Sequence, residues 1–186
     1  MTAPLTSSRP PETAGSSSMR HVMVVGGTLR DWADLTDTQW SDRVDELGAV
    51  AASANVAWLT LRPYEPGEEI VDLAAWHRQV GVCCVIVDPS GDGRQRFADA
   101  MGRLDPAVEV NEVSVAAALY EPADSEPDLV VVLGPATQLP LSLVWELAYA
   151  ELVFIPVKWR ELCGRHLLAA MDDFAGRRRR FGGLDE

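Results

Sequence analysis

The chain has 186 residues, of which 47% are apolar and 24% charged, with a formal net charge of −12 at pH 7. This length supports one sizeable hydrophobic core and is short for two. The acidic balance argues against a general nucleic-acid binder, whose affinity rests on basic residues facing phosphates, and it disfavours binding to anionic lipid surfaces.

Residues 1–18 are rich in Ser, Thr, Pro and Gly, and we expect them to be disordered, which leaves one domain over 19–184. No stretch has the apolar core of a signal peptide or the ~18 apolar residues of a membrane span. We therefore expect a soluble, cytoplasmic protein. The three cysteines, Cys83, Cys84 and Cys163, show no metal-ligand spacing and are interpreted as small core residues in a reduced compartment.

The first apolar run, 21–25, predicts a strand that stops at Gly26-Gly27-Thr28. A glycine pair after a strand lets backbone amides approach a phosphate, but no G-x-G-x-x-G follows, and a tight turn explains the pair equally well. Thr36 and Gln39 have the spacing of a capping box, which predicts a helix over 37–53 that ends at Asn55.

The middle of the chain alternates between strands and helices. Apolar runs predict strands at 57–61 and 82–87, and helical spacing predicts helices over 97–104 and 112–120, with a short amphipathic segment over 68–79.

The densest apolar sequence covers 128–156 and predicts a strand, a loop, a helix and a second strand. With Ser142 as the N-cap of that helix, Leu143, Leu147 and Glu151 share one stripe. A carboxylate on an apolar stripe needs a partner cation, a metal or water, so Glu151 is a candidate ligand. A last helix is predicted from about residue 160.

This alternation predicts an α/β fold with an open, mostly parallel sheet of about five to six strands and helices on both faces. Ligands of such sheets bind outside the carboxyl ends of the strands. Here those ends carry Gly27-Thr28, Arg62, 88–94 and 134–138, and they offer no Ser-His-Asp set and no paired carboxylates beside an obvious base.

Six pieces occur in a specific order: H-V-M-V-V-G-G-T-L-R-D-W-A, W-L-T-L, G-D-G-R, P-D-L-V-V-V-L-G, L-V-W-E-L-A-Y-A-E-L-V-F and R-R-F-G-G. Together they resemble the cis-prenyltransferase family, of the undecaprenyl diphosphate synthase type, over nearly all of 20–184. The resemblance implies that family's αβα fold, its two-subunit assembly, its use of Mg²⁺, and prenyl chain elongation with isopentenyl diphosphate.

This sequence lacks several residues that catalytic members of the family carry. Catalytic members read D-G-N-G-R-W in the first loop, and the resemblance implies that this aspartate holds magnesium and assists diphosphate departure; Gly27 stands at its position. The family's diphosphate-gripping positions correspond to Val132, Gln138 and Pro140, none of which can neutralise a diphosphate. The segment 62–81 is also much shorter than the family's, so the helices that wall the product tunnel have no sequence to form them.

This pattern resembles the Nogo-B receptor type, the accessory subunits of heteromeric cis-prenyltransferases. It implies a chain without catalytic residues of its own that pairs with a catalytic subunit, in a heterodimer or heterotetramer. An R-x-G tail, Arg180, Phe181 and Gly182, would complete the partner's diphosphate site. Mg²⁺ would be bound mainly by the partner, with Glu151 as a candidate ligand from this chain.

The aromatic residues Trp145, Tyr149, Phe154 and Trp159 are expected to anchor the subunit interface, although two of the four are expected to fill this subunit's own core. Two alternatives stay open: a self-sufficient enzyme of changed chemistry on the same fold, and a homodimeric isoprenoid-binding protein.

Overall fold

Six short strands form one sheet in the computed structural model, which describes residues 19–65 and 73–177. The strand order is β3-β4-β2-β1-β5-β6, and every neighbouring pair is parallel except β3 with β4. The strands are β1 His21–Val25, β2 Trp58–Arg62, β3 Trp76–Val80, β4 Cys83–Val87, β5 Leu129–Leu133 and β6 Glu151–Ile155.

The described residues also form six α-helices and one 3₁₀ turn, which lie between the strands or follow the last of them. They are α1 Leu29–Ala33, α2 Asp37–Ser53, α3 Gly93–Arg103, α4 Glu112–Tyr120, α5 Glu146–Tyr149, the 3₁₀ turn Trp159–Glu161, and α6 Gly164–Gly176. Within the described residues, no helix is both long and apolar enough to cross a membrane.

Side chains of each strand alternate between two hydrophobic cores, as the pleat requires. Val22 and Val24 pack with α2 and α6, whereas Met23 and Val25 pack with α3 and α4. We call these sides the α2/α6 face and the α3/α4 face. The predicted open, mostly parallel sheet with helices on both faces is confirmed.

Local sequence signals predicted several helix boundaries correctly. Thr36 and Gln39 form the predicted capping box at the start of α2, and Asn55, at φ 59°, follows the helix end. The helix α4 also has its predicted bounds.

In the described part of the predicted amphipathic segment 68–79, β3 lies antiparallel to β4, and its side chains alternate between half-buried and exposed. Val80 pairs with Cys83, so a two-residue hairpin of Gly81 and Val82 joins the strands, and Gly81 takes the positive φ that such a turn needs.

The prediction of one continuous helix from Ser142 to Glu151 is wrong. Only residues 146–149 are helical, and the hydroxyl of the buried Ser142 caps nothing. Glu151 opens β6, opposite Leu129 of β5, and the extended backbone of Ala150 ends the helix before it.

Candidate functional site

The first loop follows β1 at the carboxyl edge of the sheet and is closely packed. Gly27 has φ +72°, and a Cβ built on it would lie 2.8 Å from both Cβ and Cγ of Trp159. Trp32 Nε1 donates to the carbonyl of Gly26 at 2.9 Å. The space beside Gly27 is therefore filled by a tryptophan side chain of the same subunit.

Tryptophans hold this packing in place. Trp159 stacks on Trp32 with ring centroids 5.1 Å apart, and Trp40 contacts both rings. Arg43 lies over the Trp159 ring at 4.6 Å and donates to its carbonyl at 2.7 Å. Aromatic stacking and a cation–π contact thus fix Trp159 against the loop.

Asp31 is the acid of the first loop, and it serves a helix cap. Its backbone amide donates to Thr28 Oγ1 at 3.1 Å, and its carboxylate accepts from the Thr28 amide at 3.0 Å. Among the described residues, no group of three or more His, Cys, Asp or Glu side chains could hold a metal ion. The donors described in this chain therefore do not fit Mg²⁺ by themselves.

A buried charge cluster lies at the carboxyl ends of β2 and β4, on the α3/α4 face. Arg62 donates to Asp88 Oδ2 at 2.6 Å and to Glu146 Oε1 at 3.1 Å, and Arg96 donates to the same glutamate oxygen. Arg62 and Glu146 are 2% and 1% exposed, so the pair is almost completely removed from water.

The cluster is ionised. Burial on its own raises the pKa of Glu146, but the guanidinium groups of Arg62 and Arg96 outweigh it and hold that pKa below its usual value. Asp88 behaves in the same way, because Arg62 and hydrogen bonds from Ser90 keep its pKa low despite burial. The burial of Tyr120 raises the pKa of its hydroxyl, so this phenol stays neutral.

A cavity of about 310 Å³ opens next to this cluster. Its wall includes Arg62, Trp76, Asp88, Arg96, Asp99 and Tyr120. Charged side chains share the wall with apolar ones such as Ile86 and Leu119, so the cavity is better suited to polar contents than to a long hydrocarbon chain.

The family model described as putative undecaprenyl diphosphate synthase matches residues 49–182 of this sequence. The chain belongs to this cis-prenyltransferase family. Among curated proteins, isoprenyl transferase 2 of Bradyrhizobium diazoefficiens is 40% identical over 85 residues, which are 46% of this chain and 33% of the relative. Isoprenyl transferase 1 of Streptomyces coelicolor is 42% identical over 102 residues, covering 49% and 36%. The matches thus span about a third of these relatives' length.

Solved structures of the same family share the fold. A probable undecaprenyl diphosphate synthase from Campylobacter jejuni has a TM-score of 0.61 at 20% identity, covering 88% of this chain and 98% of that one. Lavandulyl diphosphate synthase from Lavandula x intermedia has a TM-score of 0.61 at 16% identity, covering 89% and 99%.

The positions aligned with the family's diphosphate grip lie near the carboxyl edge but carry no cation. Val132 is completely buried in β5. Gln138 is exposed, and its carbonyl accepts from the Tyr64 hydroxyl at 2.8 Å. Pro140 precedes the turn that leads to α5.

Glu151 lies at the opposite, amino edge of the sheet, as the first residue of β6. It is half-buried, and its carboxylate accepts from Arg177 Nη1 at 3.0 Å. The expected partner cation is therefore Arg177. Within this subunit Glu151 and the first loop do not meet, so a metal role for Glu151 requires the first loop of another subunit.

The four predicted interface aromatics differ in exposure. Trp159 is 3% exposed and belongs to the α2/α6 core. Trp145 and Phe154 are half-buried against the α3/α4 core, whereas Tyr149 is 52% exposed. Trp159 therefore faces its own core in this structure, and Tyr149 is the most open of the four. The tail residues Arg180, Phe181 and Gly182 lie outside the described residues.

Sequence reasoning missed the buried roles of Glu146 and Arg96. It placed Arg62 and Asp88 at neighbouring strand ends but did not pair them. The available signal was the charge of these two residues directly after the buried runs of β2 and β4, since neighbouring parallel strands bring their carboxyl ends together.

Proposed function

We propose that this chain is a non-catalytic subunit of a heteromeric cis-prenyltransferase. It pairs with a catalytic subunit and contributes its R-x-G tail, centred on Arg180, to the partner's isopentenyl diphosphate site. Mg²⁺ belongs mainly to the partner's site, where Glu151 is a candidate additional ligand.

The packing of Gly27 carries this proposal. The family resemblance places the magnesium-binding aspartate at this position, and here a first side-chain carbon alone would overlap Trp159 at 2.8 Å. Positive φ adds strain for any residue with a Cβ. The loop has thus been rebuilt around a tryptophan, and more than one substitution separates it from a catalytic loop.

The charged cavity gives a second argument. A growing prenyl chain is apolar, and placing it against the exposed Asp99, Arg103 and Glu121 of the cavity wall would remove water from these charges without replacing its hydrogen bonds. The chain is therefore unsuited to store the product, which assigns storage to the partner.

The test uses the full chain, alone and co-expressed with a catalytic cis-prenyltransferase subunit from the same genome. The chain alone, supplied with allylic diphosphate, isopentenyl diphosphate and Mg²⁺, should elongate nothing. In the complex, Arg180→Ala should lower kcat/KM for isopentenyl diphosphate by about 10- to 100-fold, the value of a lost charge-assisted hydrogen bond.

Arg165→Ala is the matched control, because Arg165 is an exposed arginine of α6 whereas Arg177 is tied to Glu151 and Asp173. Wild-type kinetics in both variants, at equal complex concentration, would show that the tail takes no part in the site.

The alternative is a self-sufficient prenyltransferase, and it is favoured by the relatives' names, which are those of transferases. Turnover by the purified chain alone, abolished by a substitution in the charge cluster such as Asp88→Asn, would establish this alternative and overturn the accessory-subunit proposal.

A further inference from the structure

The cavity beside the charge cluster lies on the α3/α4 face, over the strands at one end of the sheet. Thr60, Ile86 and His77 are register partners across β2, β4 and β3, so their side chains share this face, and all three line the cavity. On the other face, α2 packs against β3 and β4. The volume of about 310 Å³ is at the lower end of the range for small-molecule sites.

The buried charges on the cavity wall are matched by one another. Arg62 and Arg96 are bound to Asp88 and Glu146, so two cations meet two anions. One donor is left over, because Nε of Arg96 is buried and has no hydrogen-bond partner among the described residues. A buried N–H group without an acceptor is unfavourable, so the inner wall favours a ligand that carries an oxygen acceptor.

Three exposed charges complete the wall. Asp99 and Arg103 lie one turn apart on α3, and Glu121 follows the end of α4. Asp99 accepts from the Gln95 side chain at 2.8 Å, and Arg103 donates to the carbonyl of Ala118 in α4 at 2.9 Å. None of the three forms an ion pair with another described residue. Two carboxylates and one guanidinium therefore line the same cavity with their charges unmatched.

This arrangement disfavours several classes of ligand. A phosphate or diphosphate would meet two carboxylates and one guanidinium at the opening, and like charges repel. A hydrocarbon chain would remove water from the three charges without replacing its hydrogen bonds. Within the described residues, no group of three or more His, Cys, Asp or Glu side chains could hold a metal ion. The opening is instead complementary to a ligand with two cationic groups and one anionic group.

We propose that this cavity binds a free dibasic amino acid, and arginine before lysine, because a guanidinium pairs with a carboxylate through two parallel hydrogen bonds. The α-ammonium and the guanidinium of the ligand supply the cations for Asp99 and Glu121, and the ligand's carboxylate accepts from Arg103. The methylene chain lies against Ile86 and Leu119, the apolar part of the wall. A C-terminal arginine of a peptide has no free ammonium and therefore offers one cation fewer.

Calorimetric titration of the full chain with L-arginine at about 50 mM salt, where screening is weak, tests this site. Binding should saturate at one arginine per chain, with a dissociation constant below about 1 mM. Three analogues each remove one charge: L-citrulline lacks the guanidinium, agmatine the carboxylate and N-acetyl-L-arginine the ammonium. Each should bind at least about 10-fold more weakly than arginine. No saturable heat with arginine, or equal affinity for any analogue, would overturn the proposal.

Arg103→Gln should have an effect that depends on the ligand. It should weaken arginine binding at least about 10-fold but should not weaken agmatine binding, since agmatine has no carboxylate for Arg103 to contact. Glu121→Gln should weaken the binding of both ligands, because each carries two cationic groups. Equal weakening of arginine and agmatine by Arg103→Gln would contradict the contact with the ligand's carboxylate.

Arg165→Gln and Asp172→Asn are the matched controls, with the same charge changes on exposed positions of α6, on the other face of the sheet. All four substituted residues are exposed, so the variants should fold. Both controls should bind arginine with wild-type affinity. If Asp172→Asn weakens arginine binding as much as Glu121→Gln does, the net charge of the chain and not this cavity attracts the ligand, and the assigned site is wrong.

Discussion

The two faces of the sheet are packed by different means. Among the described residues, the core of the α2/α6 face consists of apolar side chains, and at its carboxyl edge Trp159, stacked on Trp32, packs against Gly27. The α3/α4 face buries polar groups among its apolar ones, including His21, Arg62 and Glu146. The first face closes its loop by hydrophobic packing, whereas the second depends on charges that satisfy one another.

This difference predicts how each face fails. A substitution in an apolar face lowers the free energy of unfolding according to how poorly the new side chain fits, because its atoms overlap with neighbours or leave voids. A face with buried ion pairs is strongly destabilised when one member of a pair is removed, because the remaining buried charge then has neither its partner nor water around it. The stability of the α3/α4 face should therefore respond more strongly to single substitutions and to acid.

Glu146→Ala should produce the largest loss. It would leave Arg62 and Arg96 buried without their shared carboxylate, and breaking a buried pair costs about 3–5 kcal/mol. Urea unfolding measures the change. Asp45→Ala, which breaks an ion pair with Arg78 whose side chains are 38% and 56% exposed, is the control and should cost at most about 1 kcal/mol. Equal losses would mean that the buried cluster is not ionised.

Acid should weaken the α3/α4 face through His21. Burial lowers the pKa of His21 from 6.5 to about 4, so between these values the unfolded chain binds a proton that the folded chain does not. Stability should therefore fall by about 3 kcal/mol as pH drops from 6.5 to 4. The carboxylates Asp88 and Glu146, whose pKa values are lowered, add their own loss only below about pH 4.

His21→Gln should flatten the stability curve between pH 6.5 and 4 when both proteins are unfolded by urea at a series of pH values. A variant that keeps the wild-type slope in this window would assign the acid sensitivity to another group.

Gly27→Ala tests the α2/α6 face and should cost about 2–3 kcal/mol, from the positive φ and the overlap with Trp159. Gly102→Ala is the matched control, since Gly102 lies in α3 with no atom within 4 Å of its added Cβ, and it should gain about 0.5–1 kcal/mol. Urea unfolding should therefore show changes in unfolding free energy of opposite sign for the two variants. A neutral Gly27→Ala would show that Trp159 moves aside and that the loop has room for a side chain.

Several features of the sequence were sufficient to predict the elements of the α2/α6 face. The capping box of Thr36 and Gln39 and the helical spacing of Val44, Leu47 and Ala51 gave α2 its bounds, because capping and amphipathic periodicity are local. The buried parallel strands were also predictable, since their apolar runs are short and bounded by turn residues.

The candidate site was predictable only in part. That residue 27 carries no acid is visible in the sequence, but the tryptophan that packs against it is 132 residues further along the chain, and nothing local connects the two. The helix expected from Ser142 to Glu151 failed because pairing of β6 with β5 overrode a local helical pattern.

The sequence by itself determined the order of the elements, the parallel sheet, the family and the glycine at position 27 of the first loop, since each depends on neighbouring residues or on ordered motifs. The tertiary structure decided which charges are internal. Arg62, Asp88, Arg96 and Glu146 come from four separate segments, and only the closure of α3 and α5 over the ends of β2 and β4 removes them from water together. Burial and partner choice are properties of the packed molecule, so a glutamate within residues 104–157 becomes either part of the interior, as Glu146, or an exposed side chain, as Glu112.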